Sequence, residues 1–253
     1  MDLGLKGKRA IVTGGTRGIG RAIVNLLVAE GCDVGFCARR KQDVDDAVAA
    51  LSQSGRKVIG GAVDVTDSAG LRAWVTETAE ALGGLDIMIP NASALVDAAS
   101  EEEWRLGLEV DILGTVRAVE AALPYLEKSD AASIVGIAST AGVNASPNVR
   151  AYTGHKAAVI AYMASLSTAL GRKHIRANTV SPGAIFFEGG VWDVRKREKP
   201  DMYNAAMKRA PFGRLGKPEE VANAVVFLAS PAASYISGTN VIVDGAVTTR
   251  IQY

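Results

Sequence analysis

Short runs of β-forming residues alternate with stretches of helical periodicity along the whole 253-residue chain, and no other feature constrains its fold as tightly. Arg9–Thr13 (RAIVT) reads as a buried strand. The stretch 19–30 follows, with Ile19, Ile23, Leu26 and Leu27 at helical spacing, and Gly31 stands where helices tend to end. The pattern continues through strands at 33–37, 57–63, 85–90, 132–137, 175–180 and 240–243, separated by helical stretches at 43–51, 71–82, 104–126, 152–170 and 219–228. Strands joined by helical crossovers lie parallel, and a parallel sheet needs cover on both faces. The expected fold is therefore α/β: a Rossmann-type, doubly wound parallel sheet flanked by helices on both faces, in a single domain spanning 1–253. The stretch 183–218 breaks the pattern. It carries Gly189, Gly190, Pro200 and Pro211 with few strand signals, and is expected to be a lid at the C-terminal edge of the sheet.

Composition excludes several function classes. Hydrophobic residues at 48% and charged residues at 22% suit a sizeable core and not a disordered chain. With 28 basic against 27 acidic residues, the net charge of +1 gives no footprint for nucleic acid. No apolar run is long enough to span a bilayer, and residues 1–9 do not look like a secretory signal, so a cytoplasmic protein is expected. Cys32 and Cys37 share one apolar run, which argues against a disulfide framework. The two histidines, His155 and His174, read as structural or exposed, and no cluster has metal-ligand spacing.

The turn after the first strand reads Thr13-Gly14-Gly15-Thr16-Arg17-Gly18-Ile19-Gly20. Glycines there allow positive φ and close backbone approach, and the helix that follows offers free N–H groups and its positive dipole end to phosphate. A strand before it and a helix after it make this a dinucleotide-binding turn. The second strand ends Cys37-Ala38-Arg39-Arg40, without the acid that an NAD site uses to hold the ribose 2′-OH. Arg39 and Arg40, with Arg17 from the turn, suit a 2′-phosphate, so NADP(H) is the expected cofactor and NAD(H) the alternative.

Tyr152 and Lys156 stand four apart on an expected helix, which puts them on one face. Ser139 ends an expected strand, where ligands bind in open α/β sheets.

With these residues in place, the sequence resembles the short-chain dehydrogenase/reductase family over essentially its whole length. The matching residues are the turn Thr13–Gly20, Asp64-Val65, Asn91-Ala92, Ser139, Tyr152 with Lys156, Pro182-Gly183 with Ile185, and Asp244-Gly245. The resemblance, closest to 3-oxoacyl-carrier reductases, implies a catalytic set. Tyr152 would be the general acid in reduction and the base in oxidation. Lys156 would bind the nicotinamide ribose and favour the tyrosinate. Ser139 would hydrogen-bond the substrate oxygen. It also implies that Asp64 and Val65 contact adenine, that Asn91 and Ala92 line the cofactor channel, and that Pro182, Gly183 and Ile185 flank its nicotinamide half. A homotetramer built on helices near 104–126 and 152–170 would follow, helped by the small residues Ala157, Ala158, Ala161 and Ala164.

Three positions depart from the family pattern. Asp111 stands where an asparagine usually helps hold a relay water beside the lysine. An ionised Asp111 would favour the ammonium and oppose the tyrosinate, altering the pH profile. Phe187 replaces a threonine that anchors the nicotinamide half, and Ser93 replaces a glycine. On the substrate side, Phe186, Phe187, Trp192, Met202, Tyr203 and Met207 suit a largely apolar carbonyl or alcohol substrate. Arg195, Lys196, Arg197 and Lys199 would meet an acidic acyl carrier or form a solvated helix face. The leading expectation is an NADPH-dependent reductase making a secondary alcohol from a 3-oxoacyl or cyclic ketone. The alternatives are a dehydrogenase oxidising a secondary alcohol or diol, and a weakly catalytic cofactor-binding sensor or scaffold.

Overall fold

A computed structural model describes residues 1–96, 98–145 and 149–249. Seven parallel strands form one sheet: β1 (Arg9–Thr13), β2 (Asp33–Ala38), β3 (Val58–Ala62), β4 (Ile87–Ile89), β5 (Ser133–Ile137), β6 (Arg176–Pro182) and β7 (Asn240–Val243). Their spatial order is β3-β2-β1-β4-β5-β6-β7, so the order reverses between β1 and β4. A crevice opens at that switch point, beyond the strands' C-terminal ends.

Alternation along each strand feeds two cores. Ala10 and Val12 of β1 and Val34 and Phe36 of β2 point to one face, where α1 (Gly18–Ala29), α2 (Lys41–Ala49) and α9 (Pro218–Ala229) cover them. Ile11 and Cys37 point to the other, under α3 (Ser68–Leu82), α5 (Gly114–Leu126) and α6 (Ala151–Leu170). Both cysteines are buried free thiols, and desolvation pushes each up to about 12.

Two stretches differ from their sequence expectation. The helical stretch 104–126 is interrupted: α4 (Glu101–Gly107) passes into a π-helical turn, Leu108–Leu113, before α5 begins. The stretch 183–218 is not irregular throughout. It folds into two packed helices, α7 (Val191–Glu198) and α8 (Pro200–Arg209), on the crevice side of β6.

Candidate active site

The dinucleotide turn is built as its glycines require. Gly14 and Gly18 have φ of +72° and +54°. A Cβ on Gly20 would lie 2.1 Å from the Gly14 carbonyl, so only hydrogen fits there. The turn is pinned from two sides. The Gly14 and Gly15 amides donate to the Cys37 carbonyl, and the Asn91 side-chain amide donates to the Thr13 and Gly14 carbonyls. The Thr13 hydroxyl accepts from the Asn91 and Ala92 amides. No side chain caps α1 and no acid stands in its first turn, which leaves its end open to an anion. These features fit a dinucleotide diphosphate.

Beside the turn, Thr16, Arg17, Arg21, Arg40, Asp43 and Asp46 line a polar cavity of about 420 Å³. Arg40 pairs with Asp43 at 3.2 Å. Arg39 does not line this cavity. It is exposed, and its charge acts on Asp64. Arg21 escaped the sequence reading, although its spacing of four from Arg17 on a helix start was the available signal. Desolvation lowers the Arg21 guanidinium from its ordinary value.

After β3, where adenine contacts are expected, the Asp64 carboxylate accepts from the Thr66 amide and hydroxyl, which holds it below its ordinary value. The Val65 side chain is buried in the core, so only its backbone faces the crevice edge. Pro182 ends β6. Gly183 donates to the Val243 carbonyl, and a Cβ there would meet Asp244 at 2.6 Å. The Ile185 side chain packs into the core and its backbone bridges to Gly216.

The chemistry-bearing residues converge where β5 gives way to α6. Ser139 is extended, and its hydroxyl accepts from the Ala141 amide at 3.1 Å, which fixes its rotamer. Tyr152 opens α6. The Lys156 Nζ lies 5.6 Å from the Tyr152 ring centroid, buried at 2% exposure, and donates to the Ile137 carbonyl at 3.1 Å. The π-helical turn delivers Asp111 to this ammonium at 2.9 Å. Asp111 also accepts from the Ser93 hydroxyl at 2.6 Å and the Ala94 amide at 2.9 Å. Two departures from the family pattern, Asp111 and Ser93, therefore form one unit.

Burial alone would push the Asp111 carboxyl up. The Lys156 charge and the Ser93 and Ala94 hydrogen bonds overcome it and hold the carboxyl below its ordinary value. Burial alone would likewise push the Lys156 ammonium down, and the Asp111 charge, then Tyr152, outweigh it. The pair is ionised and closed. It lies beside the Tyr152 ring, and Tyr152 and Ser139 are groups able to hydrogen-bond and exchange a proton with a substrate oxygen.

His155 points away from this cluster. It is buried against Gly107 and edge-on to Trp104, with ring centroids 5.0 Å apart. His174 ends a turn, exposed, at φ +58°. Among the described residues no group of three His, Cys, Asp or Glu gathers as metal ligands, and no helix is long and apolar enough to cross a membrane. In the 183–218 segment, the basic run turns inward on its own aromatics. Arg195 stacks on Trp192, Lys196 lies near Phe186 and Tyr203, and Arg197 pairs with Asp193.

A doubly wound sheet with this turn at its switch point, and a tyrosine–lysine pair beside it, defines a dinucleotide-dependent oxidoreductase. A family profile described as enoyl-(acyl carrier protein) reductase matches residues 14–248. Isoepoxydon dehydrogenase patN of Penicillium expansum is 40% identical over 258 residues, covering 100% of this chain and 99% of that protein. The 3-oxoacyl-[acyl-carrier-protein] reductase FabG of Chlamydia trachomatis serovar D is 34% identical, covering 96% and 98%. The structure of L-sorbose reductase from Gluconobacter frateurii, complexed with NADPH and L-sorbose, superposes with a TM-score of 0.91 at 29% identity, covering 99% of this chain and 100% of that one. A 7α-hydroxysteroid dehydrogenase complexed with NADH gives 0.90 at 29% identity, covering 97% and 96%. The chain belongs to the short-chain dehydrogenase/reductase family and is an NAD(P)-dependent oxidoreductase.

Proposed function

We propose that the protein is an NADPH-dependent carbonyl reductase that makes a secondary alcohol from a largely apolar ketone of 3-oxoacyl or cyclic type. The observation that carries the direction is the Asp111–Lys156 ion pair at 2.9 Å. A lone ammonium beside Tyr152 would favour the phenolate, a base for alcohol oxidation. A carboxylate in contact with that ammonium offsets part of its field at Tyr152, which supports the reductive reading. Tyr152 gives its proton to the carbonyl oxygen while the Ser139 hydroxyl hydrogen-bonds the same oxygen. When bound, the dinucleotide supplies the hydride for the carbonyl carbon. Lys156 keeps its charge and fixes Tyr152.

The backbone of Gly14, Thr16, Gly18, Ile19 and Gly20 would hold the diphosphate, and Arg17, Arg21 and Arg40 a 2′-phosphate. Asp64 and Val65 would flank the adenine, and Asn91, Ala92, Pro182, Gly183 and Ile185 the nicotinamide half. Related structures bind either dinucleotide, so the preference rests on the arginines. Helices α7 and α8 serve as the lid of a single 1–253 domain. The protein acts in the cytoplasm as a homotetramer. A second reading, oxidation of a secondary alcohol with Tyr152 as base, is favoured by the 40% identical relative named a dehydrogenase.

Titration with NADPH, NADH, NADP+ and NAD+, followed by nicotinamide fluorescence, tests the cofactor reading. The phosphorylated forms should bind more tightly. Replacing Arg17 and Arg21 by serine should weaken NADPH and spare NADH. Each charge-assisted hydrogen bond lost costs about 1.5–3 kcal/mol, or roughly ten- to a hundredfold in affinity. Equal affinity for NADH and NADPH refutes the preference, and faster turnover with NAD+ and an alcohol at neutral pH favours the second reading.

A further inference from the structure

The residue that replaces the family's threonine does more than remove a hydroxyl. The Phe187 ring reaches back from the start of the lid to the dinucleotide turn. A Cβ built on Gly18 would lie 2.5–3.0 Å from three of its ring carbons, and one built on Gly190 2.8–3.0 Å from the same ring. The ring is therefore sandwiched between the first residue of α1 and the residue preceding α7. Its backbone is committed to the same junction, because the Gly190 amide donates to the Phe187 carbonyl, and Gly189 at φ +71° makes the turn into α7. Gly18 opens α1, whose first amides a diphosphate would use, and the half-buried phenyl ring packs against that same residue. A phenyl ring offers those amides no hydrogen bond, and no side chain caps them, so only apolar contact holds it. An anion would satisfy the same amides and so compete with the ring.

We propose that Phe187 is a plug in the cofactor site. Its ring competes with the dinucleotide's diphosphate for Gly18, so that cofactor entry and release of the α7 end of the lid are one event. This rests on the reading of the turn as the cofactor site, though not on which dinucleotide is preferred. The apparent affinity of a site that is open for only a fraction of the time falls by that fraction.

Calorimetric titration of the wild type, Phe187→Ala and Phe187→Leu with NADPH, NADH and 2′-AMP tests it. Being a monophosphate without the diphosphate, 2′-AMP serves as the probe that ignores the plug. Phe187→Ala should bind the preferred dinucleotide about tenfold more tightly, as for a plug seated about nine-tenths of the time. Phe187→Leu should fall between, and 2′-AMP should bind all three alike. Amide exchange at 187–199 should rise in the wild type on dinucleotide binding and be raised already in unliganded Phe187→Ala. Unchanged or weaker dinucleotide binding by both variants overturns the plug, because the ring would then be a neutral or supporting contact. Equal gains for 2′-AMP overturn it too. A preference for NADH refutes the phosphate reading while the variant-to-wild-type ratio still supports the plug. Failure of folded wild type and variants to bind either dinucleotide overturns both.

Discussion

Asp111 shows how far one residue can redirect a site whose other members are familiar. Its carboxyl lies below its ordinary value and the Lys156 ammonium above its own. By linkage, the Asp111 contribution to stability is present above its unfolded value of about 4 and is lost as pH falls through its lower folded value. The Lys156 contribution is present below about 10.4 and is lost as pH rises through its higher folded value. The pair is therefore intact from weakly acidic to weakly alkaline pH and acts as a fixed dipole in the assay range. Asp111→Asn removes the negative end and leaves the ammonium to act alone on Tyr152. The acid limb of the alcohol-oxidation profile should then move to lower pH, and oxidation at pH 7 should rise about tenfold for each unit of displacement. Reduction at pH 7 should change little. Superimposable profiles for the variant and wild type would show that the carboxylate does not set the proton balance. Ser93→Ala, which loses the 2.6 Å bond to Asp111 and the longer 3.3 Å bond from the Leu95 amide, should move the limb the same way and less.

At the scale of elements, what the sequence revealed depended on whether the signal was local. The strand–helix alternation was legible because the five inner strands bury both faces and the helices that cover them bury a stripe. The α7–α8 pair was not, because Gly189, Gly190 and Pro200 punctuate the stretch and neither helix has a fully buried residue, although Met202, Tyr203, Ala206 and Met207 of α8 stand at helical spacing. The π-helical turn was invisible for another reason, since Leu108–Leu113 has an ordinary helical composition and its extra residue is fixed by packing. In the site, Tyr152 with Lys156 and the Thr13–Gly20 turn were readable once the flanking strands and helices and Ser139 gave their spacing a context. The Asp111–Lys156 contact joins residues 45 positions apart, and Phe187 on Gly18 joins residues 169 apart. Those meetings belong to the tertiary structure. The turn itself makes a sharp prediction. A Cβ at position 20 meets the Gly14 carbonyl at 2.1 Å and the Asn91 amide at 2.5 Å, and both belong to the clamp that shapes the turn. Gly20→Ala must therefore shift backbone. It should cost about 1–3 kcal/mol in thermal or denaturant unfolding and lower dinucleotide affinity at least tenfold. Binding retained at wild-type strength would mean that the turn is not the cofactor cradle.

At the scale of the whole molecule, one face is apolar without a partner in the single chain. Trp104 at 40%, Leu106 at 48% and Leu108 at 43% exposure stand on α4 and the π-helical turn. A cavity of about 360 Å³ opens between Trp104, Leu108, Ile112, Gly154 and His155. The small residues Ala157, Ala161 and Ala164 of α6 lie exposed on the same helix as Gly154 and allow another helix to approach closely. At the edge of this cavity, His155 Nδ1 is buried without a hydrogen-bond partner among the described residues. Large exposed apolar residues grouped around a groove mark an interface rather than a solvated surface. The same π-helical turn carries Asp111 into the active site, so a partner packed on Leu108 would brace the residue that sets the charge on Lys156. The expected outcome is an assembly larger than a monomer by sedimentation velocity, broken by Leu108→Arg. In an isolated chain that substitution lies on an exposed position and should change stability by no more than about 0.5 kcal/mol. A smaller sedimenting species should therefore appear with the fold retained, and the acid limb of the alcohol-oxidation profile should move to lower pH with it as the support behind Asp111 loosens. A wild type that sediments as a monomer, or a variant with undiminished assembly, would remove this face from the account and leave Asp111 to be held by Ser93, Ala94 and Lys156 alone.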